Sequence, residues 1–280
     1  MLLRGRELKA SGQITEAINI YCDTIRFGDD WIRYSELMEA AMGVSSCEIA
    51  YEEIRRLLDD QLSDEQLSLL LGYFRVLDET QPDFANAWVG EQLCSEAGLK
   101  KAAEYSGFFT NRSGISWSIL GQSSYDWINR TDYIEAWPDV QVLYPELIRI
   151  NRLPFRQAKE DSVKFEAYGM TLRNRISRAM FPSAIIGLTY DTETRASFRG
   201  VYILAALKLY KLRHGAYPET LDKLSPAIIP AVPLDPFSDK PFIYRVDKDG
   251  ILFLYSVKED LKDDNADPKK DVVISPKITK

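Results

Sequence analysis

Histidine is almost missing from this chain: His214 is the only one in 280 residues. That excludes zinc and iron sites built on several histidines, and any catalytic group that needs a second one. Cysteine is scarce too. Cys22, Cys47 and Cys94 are odd in number, widely spaced and without a C-x-x-C pair, so they define neither a zinc site nor a closed disulfide set. They are expected to act as small buried hydrophobes in helices. No apolar run approaches the roughly 18–20 residues that span a bilayer. The opening Met1-Leu2-Leu3-Arg4-Gly5-Arg6-Glu7 also lacks the apolar stretch of a signal peptide. Membrane insertion by the chain is therefore not expected. Basic excess is absent as well. The formal net charge is −7, the opposite of the basic face that nucleic acid demands. No P-loop, G-x-G-x-x-G or G-x-S-x-G occurs, which leaves nucleotide binding and the serine-hydrolase elbow without support.

What is present reads as an ordinary globular chain, with 45% hydrophobic and 28% charged residues. The acid excess lies almost entirely before residue 191, which already suggests two parts. Residues 1–27 read as two short helices broken at Ser11-Gly12, with Leu2, Leu3 and Leu8 and then Ala17, Ile18, Tyr21 and Ile25 at helical spacing. The string from Gly12 to Tyr21 looks like one tetratricopeptide helix pair, but residues 35–58 do not repeat it, although Leu37, Ala40, Ala41, Ile49, Ile54 and Leu57 are helical in spacing. Ser63-Asp64-Glu65-Gln66 is a capping-box start, followed by Leu67, Leu70, Leu71 and Phe74. Pro82 opens a helix through Trp88 and Leu93. Residues 106–139 read as a long structured loop, and 140–181 as helix again.

From residue 191 the grammar changes. Thr192 or Thr194 is expected to cap a helix whose apolar face is Phe198, Val201, Tyr202, Ala205, Leu209 and Leu212, ended by Gly215. After a proline-rich segment, Phe242–Val246 and Ile251–Ser256 flank Asp247-Lys248-Asp249-Gly250, a hairpin signal. A polar acidic loop covers 257–271, and Val272-Val273-Ile274 offers a third strand. The sequence therefore predicts a mainly α N-terminal domain of helical hairpins with a tetratricopeptide-like pair, residues 1–190, then a small α+β module with an antiparallel hairpin, residues 191–280.

Several landmarks in this module fall in a familiar order: Ala206-Leu207, Tyr210, Gly215-x-Tyr217-Pro218, Leu221, Leu224, Pro233-x-Asp235-Pro236-Phe237, Lys240-Pro241-Phe242-x-Tyr244, Leu254-Tyr255-Ser256, Asp260 and Asp271-Val272. On these residues, the stretch 196–274 resembles the C-terminal domain of the major pseudopilin of type II secretion systems. It is also similar to bacterial envelope-associated proteins that carry such a module behind a helical region. The resemblance implies a helix, a Tyr-Pro turn, an Asp-Pro segment, a hairpin and a closing calcium loop. By it, Ser256, Asp260 and Asp271 supply side chains to Ca²⁺ and Leu254 a carbonyl, with Asp263, Asp264 or Asn265 adding another oxygen. That chemistry suits the residues, since Ca²⁺ takes six to eight oxygen ligands, several of them carboxylates. The loop is not an EF-hand: counted from Asp263, Pro268 falls where glycine belongs and Ile274 where the bidentate glutamate belongs. Two glycines of the pseudopilin loop are replaced by Lys258 and Leu261. The family's apolar assembly helix is replaced here by charged helices, so fibre formation by that packing is not expected.

The function expected on this resemblance is a non-enzymatic, envelope- or secretion-associated interaction protein with a protein partner and a Ca²⁺-stabilised module. Its place is the envelope, periplasm or exterior if an N-terminal anchor has been removed, and the cytoplasm otherwise. Two alternatives stand beside it. One is a cytoplasmic helical-repeat adaptor. The other is a carboxylate-based carbohydrate-binding or hydrolytic protein using Trp117, Tyr125, Trp127, Tyr133 and Trp137 with Asp126, Asp132, Glu135 and Asp139. Asp235 and Asp239 resemble a catalytic pair, but between prolines they read as turn chemistry. His214 reads as a cation at a helix C-terminus.

Overall fold

The computed structural model of the chain describes residues 1–104 and 130–275. It is mainly helical and ends in a small three-stranded antiparallel sheet, the mixed architecture that the sequence predicts. Helix α1 (Leu2–Ala10) turns at Gly12 into α2 (Ile14–Tyr34), and α3 (Leu37–Leu58) folds back along α2. Ala17, Ile18, Tyr21, Cys22 and Ile25 of α2 are buried, at the three- and four-residue spacing of one helix face. The helices are much longer than those of a tetratricopeptide unit: α2 has 21 residues and α3 has 22. They form hairpins without repeating.

Two glycines set the distance between α2 and α3. A Cβ on Gly28 would lie 2.6 Å from the Gly43 carbonyl oxygen and 2.5 Å from Cys47 Sγ. Both neighbours belong to α3, so the helices must separate to admit a methyl group. Gly28→Ala is expected to cost about 1–3 kcal/mol, the usual range for overpacking a filled core. A lowered denaturant midpoint at unchanged slope is the reading to look for.

Helix α4 (Asp64–Glu79) starts on the expected capping box. Ser63 Oγ accepts from the Gln66 N–H at 3.2 Å, and Gln66 Oε1 accepts from the Ser63 N–H at 3.0 Å. Helices α5 (Ala85–Glu104), α6 (Arg130–Asn151), α7 (Phe155–Gly169) and α8 (Arg175–Ala179) follow. Pro138 and Pro145 lie inside α6, so residues 130–139, read as irregular, are helical despite the prolines.

The largest correction concerns the junction. Helix α9 runs unbroken from Ala184 to His214, 31 residues, across position 191, where the sequence is read as passing from the helical part to the C-terminal module. Thr192 and Thr194 do not cap it. Their hydroxyls turn back onto the Leu188 and Tyr190 carbonyls at 2.7 and 3.0 Å, an arrangement that lets threonine sit inside a helix. Gly215 ends α9 as expected, with a left-handed φ of 82°.

Residues Val201 through Leu207 are buried on every side, which makes α9 the axis of the molecule. Phe198 and Tyr202 pack against Phe74 of α4 and Tyr51 of α3. Past a 3-10 turn at Leu221–Leu224 come β1 (Ile243–Val246), β2 (Leu252–Ser256) and β3 (Val272–Ser275), in spatial order β1-β2-β3. The hairpin closes at Asp247–Gly250, where Asp247 Oδ1 accepts the Asp249 and Ile251 N–H groups at 2.9 and 2.8 Å. Gly200 leaves the gap on α9 into which Ile274 of β3 fits. One continuous core therefore runs from Leu8 and Ile54 through Phe198 and Val201 to Leu254 and Ile274.

Several expectations about burial change. Leu3, Ile49, Leu93 and Leu212 are exposed. Cys22 and Cys47 are buried, but Cys94 lies on the outer face of α5 and donates to Glu36 of the α2–α3 turn. Burial pushes the Cys22 thiol up to about 12 and the Cys47 thiol higher still, so both behave as inert packing groups.

Candidate functional site

The acidic loop between β2 and β3 folds on its own aspartates. Asp260, Asp263 and Asp267 each accept the N–H two residues on, at 3.0, 2.9 and 3.0 Å, forming three Asx turns. Lys258, Leu261, Asn265 and Ala266 all have φ between 54° and 63°. That left-handed region is uncommon outside glycine and asparagine, and strained residues of this kind persist only where their surroundings hold them. Lys258 and Leu261 are the positions at which glycines of the resembled loop are replaced. Both adopt, without being glycine, a backbone conformation that favours glycine. The loop is anchored from outside: Lys258 Nζ meets Glu193 of α9 at 2.8 Å, and Lys159 Nζ of α7 donates to the Glu259 carbonyl at 2.7 Å.

The six residues assigned to the metal fall into two sets. Leu254 is buried in β2, opposite Tyr244 on one side and Ser275 on the other. Ser256 ends β2, and its buried Oγ donates to Asp235 Oδ1 at 2.7 Å. Asp260 is exposed and engaged in its Asx turn. Asp263 Oδ1 accepts from the Tyr255 hydroxyl at 2.8 Å. Asp264 and Asp271 are different. Asp264 Oδ1 pairs with Lys270 at 2.7 Å, but its Oδ2 is buried without a partner. Asp271 is 3% exposed, and neither carboxylate oxygen has a hydrogen-bond partner. Burial raises its pKa. The backbone N–H groups of Ala266, Asp264 and Asp267 oppose that rise from nearby, but none reaches hydrogen-bonding geometry, and the Asp264 charge raises it further. Among the described residues, no three Asp, Glu, His or Cys side chains converge as a metal cluster.

Asp235 is the residue whose role the sequence understates. It is 1% exposed and accepts three bonds: Phe237 N–H at 3.0 Å, Ser238 Oγ at 2.9 Å and Ser256 Oγ at 2.7 Å. The turn reading for Asp235 stands, but the turn is also tied to β2, and no local spacing signals that long-range bond. Asp239 is exposed, with a left-handed φ of 55°. His214 is exposed at the end of α9 with its ring 4.2 Å from that of Tyr210.

Of the aromatic and acidic residues read as a sugar platform, Trp117, Tyr125, Asp126 and Trp127 lie outside the described residues. Asp132, Tyr133, Glu135, Trp137 and Asp139 lie on α6. No helix among the described residues is long and apolar enough to cross a membrane. No family model, no curated protein and no solved structure matches this chain.

Proposed function

We propose that the chain is a non-enzymatic interaction protein, envelope- or secretion-associated, whose pseudopilin-like C-terminal module is stabilised by Ca²⁺ at the 257–271 loop. The observation that carries this reading is Asp271. A carboxylate with both oxygens buried and unpartnered is costly unless a cation completes it. Beside it, Asp264 Oδ2 is also buried and unpartnered. Ca²⁺ suits such a site because it accepts carboxylate, carbonyl and water oxygens together, so two carboxylates can anchor it. Asp271 and Asp264 would hold the ion first, with Asp260 and Asp263 of the same loop and Leu254 and Ser256 of β2 as the remaining oxygen sources. When bound, the ion supplies the positive charge that these buried oxygens lack. The order of helix α9, hairpin and closing loop supports the likeness to the pseudopilin domain.

A protein partner is supported by a separate surface. Met38, Met42 and Ile49 of α3 are exposed, as are Ile186 and Tyr190 of α9. The Tyr190 hydroxyl lies 3.3 Å from Ser45 Oγ, which makes these helices neighbours on that face. Exposed apolar groups clustered in this way are typical of contact surfaces.

The test is a thermal melt of the full chain with Ca²⁺, with Mg²⁺ and with chelator, because the module shares its core with the helices. For a dissociation constant of about 1 mM and ion about tenfold above it, binding adds roughly 1.4 kcal/mol, or about 3–5 °C in a chain of this size. A Ca²⁺-selective rise that disappears in Asp271→Asn is the expected result. Equal melting in Ca²⁺, Mg²⁺ and chelator would remove the metal from the proposal and leave a helical adaptor as the better description.

A further inference from the structure

Helix α7 leaves an apolar face uncovered. Val163 and Met170 are 67% and 87% exposed, and Ala167 between them is exposed too. Spacings of four and three residues put all three on one side of the helix, since Met170 keeps helical backbone angles at its end. Tyr168, on the neighbouring flank, is 40% exposed. Toward the start of α7 the same side carries Glu160 and Arg156, charges of opposite sign.

Past Met170 the chain turns and presents cations. Leu172 and Ile176 are buried and hold this turn to the core. Asn174 pins it: Oδ1 accepts the Ile176 and Ser177 N–H groups at 2.8 and 3.2 Å, and Nδ2 donates to the Asp132 carbonyl of α6 at 2.9 Å. The end of α7 is fixed as well. A Cβ on Gly169 would collide with the Phe181 ring, which stacks on Phe165 at 4.8 Å. On this scaffold Arg173, Arg175 and Arg178, three arginines in six residues, are all exposed. Arg175 and Arg178 lie three apart on α8 and share a face. None of the three side chains makes a hydrogen bond or an ion pair among the described residues. The two acids of α7 nearest the turn in sequence are engaged elsewhere. Asp161 pairs with Arg149 and Lys164, and Glu166 accepts from the Ser183 hydroxyl and the Ala184 N–H.

Three uncompensated cations beside a projecting apolar end attract an anionic surface that also accepts apolar groups. The net charge of −7 does not cancel this attraction, because salt screens exposed charges more than about 8–10 Å apart. A projecting side chain suits a bilayer, which yields to it, better than an acidic protein, which must already have a pocket of the right shape. In a bilayer, headgroup phosphates meet the arginines while the apolar side chains enter the interface. We propose that the α7–α8 turn docks the protein on an anionic phospholipid surface, with Met170 in the interface and Arg173, Arg175 and Arg178 on the headgroups. Such a contact goes beyond the protein-interaction reading and needs no Ca²⁺. Gly169 is ten residues, about 15 Å of helix, from Lys159, the residue of α7 that bonds the 257–271 loop.

The experiment is sedimentation of the full chain with vesicles, in chelator so that no Ca²⁺ bridges protein and lipid. Binding is expected to an equal mixture of phosphatidylcholine and phosphatidylglycerol, not to phosphatidylcholine alone, and should fall as salt is added. Arg173→Gln, Arg175→Gln and Arg178→Gln should each weaken it about fivefold, and together roughly a hundredfold. Met170→Ser should weaken it several-fold with the salt dependence unchanged, because it removes apolar burial and no charge. All four side chains are exposed, so the variants should melt with the wild type. No binding to the mixed vesicles, or equal binding after the triple change, would overturn the proposal. Indifference to Met170→Ser, with heparin competing as well as lipid, would overturn it in favour of a general polyanion surface. If vesicle binding failed while the Ca²⁺-selective melt held, the lipid contact would fall and the Ca²⁺ reading would stand.

Discussion

Asp235→Ala is expected to lower stability by roughly 3–5 kcal/mol, the range for removing one member of a buried, charge-assisted hydrogen-bond network. The carboxylate lies at 1% exposure and accepts from Phe237 N–H, Ser238 Oγ and Ser256 Oγ. Truncation leaves three donors without an acceptor, two of them in a segment that has little other regular structure. Packing is lost with them. Phe237 is held by the same turn and meets Phe155 of α7 edge-on at 4.7 Å, so the module's grip on the helices loosens as well. Asp235→Asn keeps the shape and one acceptor oxygen but turns a donor toward a donor, and should cost about half as much. Ser256→Ala removes only one partner and should cost about 1–2 kcal/mol. Urea unfolding followed by circular dichroism measures all three. If Asp235→Ala fell within about 1 kcal/mol of the wild type, the bond between turn and strand would be too weak to organise the module.

Features that local chemistry decides were legible in the sequence. The Ser63–Gln66 capping box, the left-handed Gly215 and the Asp247–Gly250 turn each need only neighbours within four residues. Features that depend on distant partners were not. Threonine favours a helix cap, but at Thr192 and Thr194 the buried face of α9 prevails and the hydroxyls bond backward inside the helix. Pro138 and Pro145 argue against a helix locally, yet α6 forms where Val140, Leu143, Tyr144 and Leu147 pack into a core with α7 and α9. In the acidic loop the sequence shows how many carboxylates there are, but not which are dry. Asp260 and Asp271 look alike on the page; one is exposed, and the other is buried behind β3 and the loop's own backbone.

A second large effect is expected at Asp29, where α2 crosses α3. Its carboxylate is 8% exposed, and Cys47 Sγ, a weak donor, is its hydrogen-bonding neighbour at 3.7 Å. Burial pushes its pKa up to about 7, a rise that the Arg33 and Arg195 charges only partly oppose. Burial moves the half-buried Glu48 of α3 the same way, also to about 7. The sign follows from proton counting. Between the ordinary carboxylate pKa near 4 and the folded value, the native state keeps a proton that the unfolded state has released. Stability therefore falls as pH rises from about 4 to about 7, and levels off above the folded pKa. This is opposite to a carboxylate held by a salt bridge, which stabilises on the alkaline side. Asp29→Asn removes the titration but keeps the shape and an acceptor for Cys47. At pH 8 it should be more stable than the wild type by about 2–4 kcal/mol, and near pH 4 the two should converge. Urea unfolding of both proteins across that range separates the alternatives. A difference that grows on the alkaline side would place an unpaired carboxylate at the α2–α3 crossing. A difference that stayed constant with pH would mean that Asp29 is solvated or paired in the folded state, and that the glycine-lined crossing is more open than its packing indicates.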